Sequence, residues 1–237
     1  MILFFSMTKI YLLCNSKYFK IVLIMEAKNY LDDLKDIKSM MAKSTQFISL
    51  SGLSGIIAGF YALIGAFLAN CFIDNYFKIL QTAEFTTDGY ERITDELEIK
   101  LISIALIVVV VSIVTAYFLT VSKAKRINET VWNSASKKLI VSFCIPLFTG
   151  GIIGLLLLKN DYWNLMAPIT LIFYGLACEN ASKFTFRDVR YLGITQIILG
   201  LISIQFPGYG LCFWAAGFGI CHIIYGGLMY FKYDRSH

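Results

Sequence analysis

One histidine, His222, stands about halfway along an apolar stretch without a charged residue, residues 209–231, YGLCFWAAGFGICHIIYGGLMYF. An imidazole titrates near neutrality, and an ionisable group inside a membrane segment is a functional candidate by default. A proton pathway would need polar partners converging on it, and Gln196, with Glu179, is the candidate set for such an intramembrane site. The plainer alternative, a neutral imidazole hydrogen-bonded across helices to a carbonyl or a glutamine, is the favoured one. Glu179 lies close in sequence to Lys183 and Arg187, so an ion pair at a helix end is favoured for it. The usual carriers of catalysis are missing from the sequence: HExxH, GxSxG, a phosphate-binding GxxxxGK[ST], or paired carboxylates within an apolar stretch. The six cysteines are scattered, without CxxC spacing, and read as small apolar packing residues. A non-enzymatic chain without metal or cofactor is therefore expected.

The elements that must position these residues are membrane helices. With 57% hydrophobic and 16% charged residues, the chain is far more apolar than soluble proteins, which average about 45–50% and about 25%. Residues 44–70 run for 27 positions without a charge, entered from Lys38 and Lys43. About 20 such residues cross a hydrocarbon core of about 30 Å, and only a helix bonds every backbone amide within the segment. Ser51, Gly55, Gly59, Ala62 and Ala66 share one face of that helix, which is expected to pack closely on neighbouring helices within one bundle; a homo-oligomer face is the alternative.

Six spans are expected, at about residues 47–70, 101–122, 139–158, 162–178, 191–206 and 209–231, with a tail at 232–237. Pro146 and Pro168 suggest bends in the third and fourth. The connection at 71–100 reads as a long acidic loop, with Thr94 before Asp95 and Glu96 suiting a helix start. Residues 1–24 read as an extension ahead of a true start at Met25. Residues 25–46 then form an amphipathic juxtamembrane helix with Leu34, Ile37 and Met41 on its apolar stripe.

Counting from Met25, the first segment, the second and fourth loops and the tail carry 14 Lys and Arg, against four in the other loops. Basic loops face the cytoplasm. The expected fold is thus all-α: six transmembrane helices in three hairpins, both termini inside. Lys123, Lys125, Arg126 and Trp132 are candidate contacts for the lipid bilayer or a protein partner, as are Leu34, Ile37 and Met41. A patch so short is not expected to bind nucleic acid.

Residues 30–67, YLDDLKDIKSMMAKSTQFISLSGLSGIIAGFYALIGAF, resemble the opening of a group of small, uncharacterised six-span bacterial integral membrane proteins. The resemblance implies a bacterial inner membrane and supplies no catalytic residues. The function expected is a scaffold or regulatory membrane protein acting through its cytoplasmic face. The alternative is a small transporter or channel with a polar path near His222, Gln196 and Glu179.

Overall fold

The computed structural model describes residues 47, 49–82, 87–128 and 130–235, with the backbone alone for 87 and 88. The expectations for residues 1–24 and for the amphipathic segment with Leu34, Ile37 and Met41 fall outside the described residues. What is described is helical, without a strand among those residues. Six helices follow in order: α1 Gly52–Thr82, α2 Thr87–Arg126, α3 Ser134–Lys159, α4 Met166–Ala181, α5 Asp188–Ile204 and α6 Gly210–Asp234. The last is a composite in which π-helical turns, Ala215–Cys221 and Tyr230–Asp234, bracket the α-helical His222–Met229.

Four of the six, α1, α2, α3 and α6, are long and apolar enough to cross a membrane. The other two are short, 16 residues in α4 and 17 in α5. At about 1.5 Å per residue, the 40-residue α2 is about twice as long as a hydrocarbon core is thick. The stretch expected to be an acidic loop is accordingly mostly helix, since α1 runs on to Thr82 and α2 begins at Thr87. Thr94 is therefore an interior residue and starts nothing: its hydroxyl bonds the Tyr90 carbonyl at 3.0 Å and meets the Tyr76 hydroxyl at 3.1 Å across the hairpin. Charged helical surface tolerates water, so the helices have no reason to stop at the membrane boundary. Pro168 also differs from expectation. It occupies the first turn of α4, where a missing N–H goes unneeded, and it needs no bend. Pro146 lies inside α3, which continues through it.

Glycine seams hold the bundle together. The smooth face of α1 packs on α6: a Cβ at Gly59 would lie 2.7 Å from the Gly219 carbonyl oxygen, and one at Gly55 3.2 Å from the Gly226 Cα. Ala62 and Ala66 continue that face and are buried, as is Ser51 just before the helix. A second seam joins α4 to α5, where Gly175 and Gly193 face each other so closely that a Cβ on either would meet the other's carbonyl within 2.7 Å. Lipid gives apolar side chains little reason to leave it, so backbone proximity of this kind supplies the association through dispersion and weak hydrogen bonds. The third expected hairpin is loose by comparison, because α6 lies mainly along α1 and only lightly against α5. The outlying helix is α2, which rests chiefly on α1 and has no buried residue in its apolar window.

Candidate functional site

Two polar clusters stand out, one inside the bundle and one at its end. The first is built by α4, α5 and α6, whose π-helical turn supplies Gly217 and whose next, α-helical turn supplies His222. His222 is buried and Gln196 is wholly so. The ring's Nδ1 lies 3.1 Å from the Gly217 carbonyl oxygen, and its Nε2 lies 2.7 Å from the Tyr174 hydroxyl. A carbonyl only accepts, which assigns the proton of the neutral ring to Nδ1 and makes Nε2 the acceptor for Tyr174. The Gln196 amide nitrogen donates to the same Gly217 oxygen at 2.8 Å, so both lone pairs of that carbonyl are engaged. Gln196 and His222 themselves approach only to 3.5 Å, donor against donor.

A Cβ at position 217 would press on Gln196 Oε1 and the end of the Leu171 side chain, so glycine leaves room for the amide to reach the Gly217 carbonyl. Aromatic rings close the cluster in, with Tyr174 edge-on to Phe143 and Phe218, and Phe218 stacked on His222 at 5.9 Å. One atom is left over. Gln196 Oε1 is buried without a hydrogen-bond partner among the described residues. Glu179 does not join this cluster. It lies at the last turn of α4, its carboxylate 3.8 Å from Arg190 and over a third exposed. The sequence thus singled out two of the residues brought together and missed Tyr174 and the part played by the Gly217 carbonyl. The tyrosine carried a usable signal, a hydroxyl in the middle of an uncharged stretch; the glycine carbonyl carried none.

The second cluster joins segments far apart in sequence. Asp234, at the end of α6, accepts from the Lys123 ammonium at 2.6 Å through one oxygen. Its other oxygen accepts from the Ser51 hydroxyl at 3.0 Å and the Gly52 N–H at 2.9 Å. A carboxylate from α6 therefore caps α1, where free N–H groups and the helix dipole favour negative charge. Lys123 also donates to the Leu50 carbonyl at 2.8 Å and lies 5.3 Å over the Phe186 ring. Only 13% of the lysine side chain and 10% of the aspartate's remain exposed, so neither charge is answered mainly by solvent. Lys123 is thus held within the chain and is not displayed as the lipid or partner contact its sequence context suggested.

Beside this pair, the Tyr233 hydroxyl donates to Asp188 at 2.7 Å, the Lys232 ammonium reaches the same carboxylate at 3.1 Å, and Tyr233 stacks on Phe186 at 4.0 Å. Burial alone would push the Asp188 carboxyl up; the hydrogen bonds from Tyr233 and Lys232 and the ammonium charge outweigh it and hold the group below the usual aspartate range. Backbone pairing completes the cluster: the Phe47 N–H bonds the Phe184 carbonyl at 2.7 Å, and the buried Thr185 hydroxyl bonds the Phe47 carbonyl at 2.8 Å. The entry to α1, the end of α2, the connection between α4 and α5, and the end of α6 all meet here. None of these pairings was visible in the sequence, because each partner lies in a different segment.

Among the described residues, no group of three His, Cys, Asp or Glu side chains is placed to hold a metal ion. Against protein-family models, curated proteins and solved structures, the chain has no match. What it does must therefore be argued from these two clusters.

Proposed function

We propose that the protein is a scaffold or regulatory membrane protein, not an enzyme, that presents a fixed cytoplasmic face to a protein partner. In this reading all six helices span a bacterial inner membrane, with both termini inside. The observation that carries it is the end cluster around Asp234 and Asp188. Four segments that the charge count assigns to the cytoplasm meet there, through contacts specific in direction and partner. Flexible loops would serve a transporter equally well. Directional bonds among buried groups instead hold one surface shape, which is what recognition needs.

Lys183 and Arg187 stand exposed on this face and supply its charge. The test is affinity purification of the tagged protein from its native host in mild detergent, followed by mass spectrometry. A stoichiometric partner is expected with the unaltered chain and should be lost in the double variant Lys183→Glu, Arg187→Glu, whose side chains touch no core. A chain that comes down alone at native abundance overturns the proposal.

A second reading, a small transporter or channel, draws on the π-helical turns around His222 and the unpartnered Gln196 oxygen, since π-turns often mark functional sites. Proton-coupled flux in liposomes that disappears in His222→Ala would support it.

A further inference from the structure

Apart from Arg126, which also has a contact of its own, the cations near the cytoplasmic end fall into two groups. Lys123 is bonded to Asp234, Arg190 to Glu179, Lys232 to Asp188, and Lys183 donates to the Asn180 side chain. Lys125, Lys137 and Lys138 have no such partner among the described residues, and all three are exposed. Arg187 and Arg235 also stand unpaired, but in separate segments. The three lysines flank a single connection, the one from α2 to α3, and between them stands Trp132, 63% exposed.

The connection is also tightly built. Asn128 adopts a left-handed φ of 53°, and a capping box fixes the start of α3, with the Ser136 N–H donating to the Asn133 side chain at 2.8 Å and the Asn133 N–H to the Ser136 hydroxyl at 3.0 Å. Ala135 and Ser136 are buried, which anchors that start against the bundle. Lys137 and Lys138 then follow in a helix whose first turn holds no acid, where the dipole disfavours positive charge. Two like charges at the unfavourable helix end, without a carboxylate partner among the described residues and close in sequence to an exposed indole, suit a negative group from outside. At this level of a membrane helix the surrounding anions are lipid headgroups, and tryptophan is the side chain that settles at the headgroup layer.

We infer that the α2–α3 connection is a binding site for an anionic phospholipid headgroup, with Lys137 and Lys138 meeting the phosphate, Lys125 adding positive charge from the end of α2, and Trp132 lying along the glycerol and upper acyl region. The inference rests on the membrane placement of α2 and α3. It does not rest on the scaffold proposal, whose test lies on the α4–α5 connection.

The experiment uses the full chain in lipid nanodiscs, with Trp163→Phe and Trp214→Phe leaving Trp132 as the sole indole. Brominated phosphatidylglycerol and brominated phosphatidylcholine are compared as quenchers at equal mole fraction. The expected result is a preference for the anionic lipid of about fivefold or more, the scale of one lysine at a charged membrane surface. That preference should fall towards one in Lys137→Glu, Lys138→Glu and shrink as salt is raised. Native mass spectrometry of the chain with all three tryptophans gives the second readout: retained phosphatidylglycerol, lost in the same double variant. Equal quenching by the two lipids overturns the inference, as does displacement by millimolar inorganic phosphate. So does shielding of Trp132 from both lipids by a second copy or another protein.

Discussion

The cluster around His222 and the cluster around Asp234 are both buried and polar, yet they are made from different material. Inside the bundle the groups are neutral: an imidazole, a phenol, an amide and a backbone carbonyl, contributed by the seamed pair α4 and α5 and by α6, whose own glycine seam lies on α1. At the end of the bundle the groups are ionic and come from segments far apart in sequence. Lys123, for instance, ties the outlying α2 to α6. The difference follows from what a charge costs. An ion far from water is costly unless it is paired and bonded, whereas a largely buried pair at the end of the bundle keeps some contact with water and gains directional strength at lower desolvation cost. The inner cluster bonds α6 to the seamed pair α4 and α5 through neutral groups, and the end cluster bonds the end of α2 to the end of α6 and the entry of α1 through charge.

The contrast is broken most forcefully at the ion pair. Lys123→Met leaves Asp234 with its hydrogen-bond donors but no counter-charge, and a cost of about 3–5 kcal/mol is expected for stranding a buried charge. Adding Asp234→Asn should recover part of it, since the two residues couple directly. Denaturation by SDS titration from mild detergent measures both.

Smaller effects are expected in the inner cluster. Tyr174→Phe removes one neutral hydrogen bond and leaves His222 Nε2 without its donor, at a cost of about 1–3 kcal/mol. Gln196→Met should cost less than that, because it also removes the Oε1 that has no partner. If Tyr174→Phe proves more damaging than Lys123→Met, the contrast fails.

The smallest effect concerns Asp188. Its folded carboxyl titrates below the ordinary range, so its contribution is fully present above the unfolded value, near pH 4, and is lost as the pH falls through the lower folded value. Melting curves between pH 7 and pH 3 should show this loss in the unaltered chain and a weaker dependence in Asp188→Asn.

How much of this was legible in the sequence depended on the range of the interaction. The small-residue face of α1 could be read from the spacing of Gly55 and Gly59, because a helix repeats locally and lipid rewards close approach. The helix ends could not: nothing in residues 71–100 signals that α1 and α2 run far past the apolar stretches, since a charged helix and a charged loop have similar compositions. His222 and Gln196 were found because a polar residue in an uncharged run is conspicuous. Asp234 was passed over as part of a tail, and Asp188 was not singled out, because their partners lie on segments that only the fold brings near. Lys123 misled for the same reason, looking like Lys125 in sequence and differing from it in every contact.

The most direct measurement sets the two clusters against each other through the partner. Recovery of the co-purified protein is quantified for Lys183→Glu, Arg187→Glu and for His222→Ala, at matched abundance and with melting curves confirming that each variant is folded. The end-face proposal requires recovery to fall by about tenfold or more in the first, equivalent to about 1.4 kcal/mol of lost binding, and to stay unchanged in the second. Recovery that survives the charge reversal and is lost with His222 would contradict it.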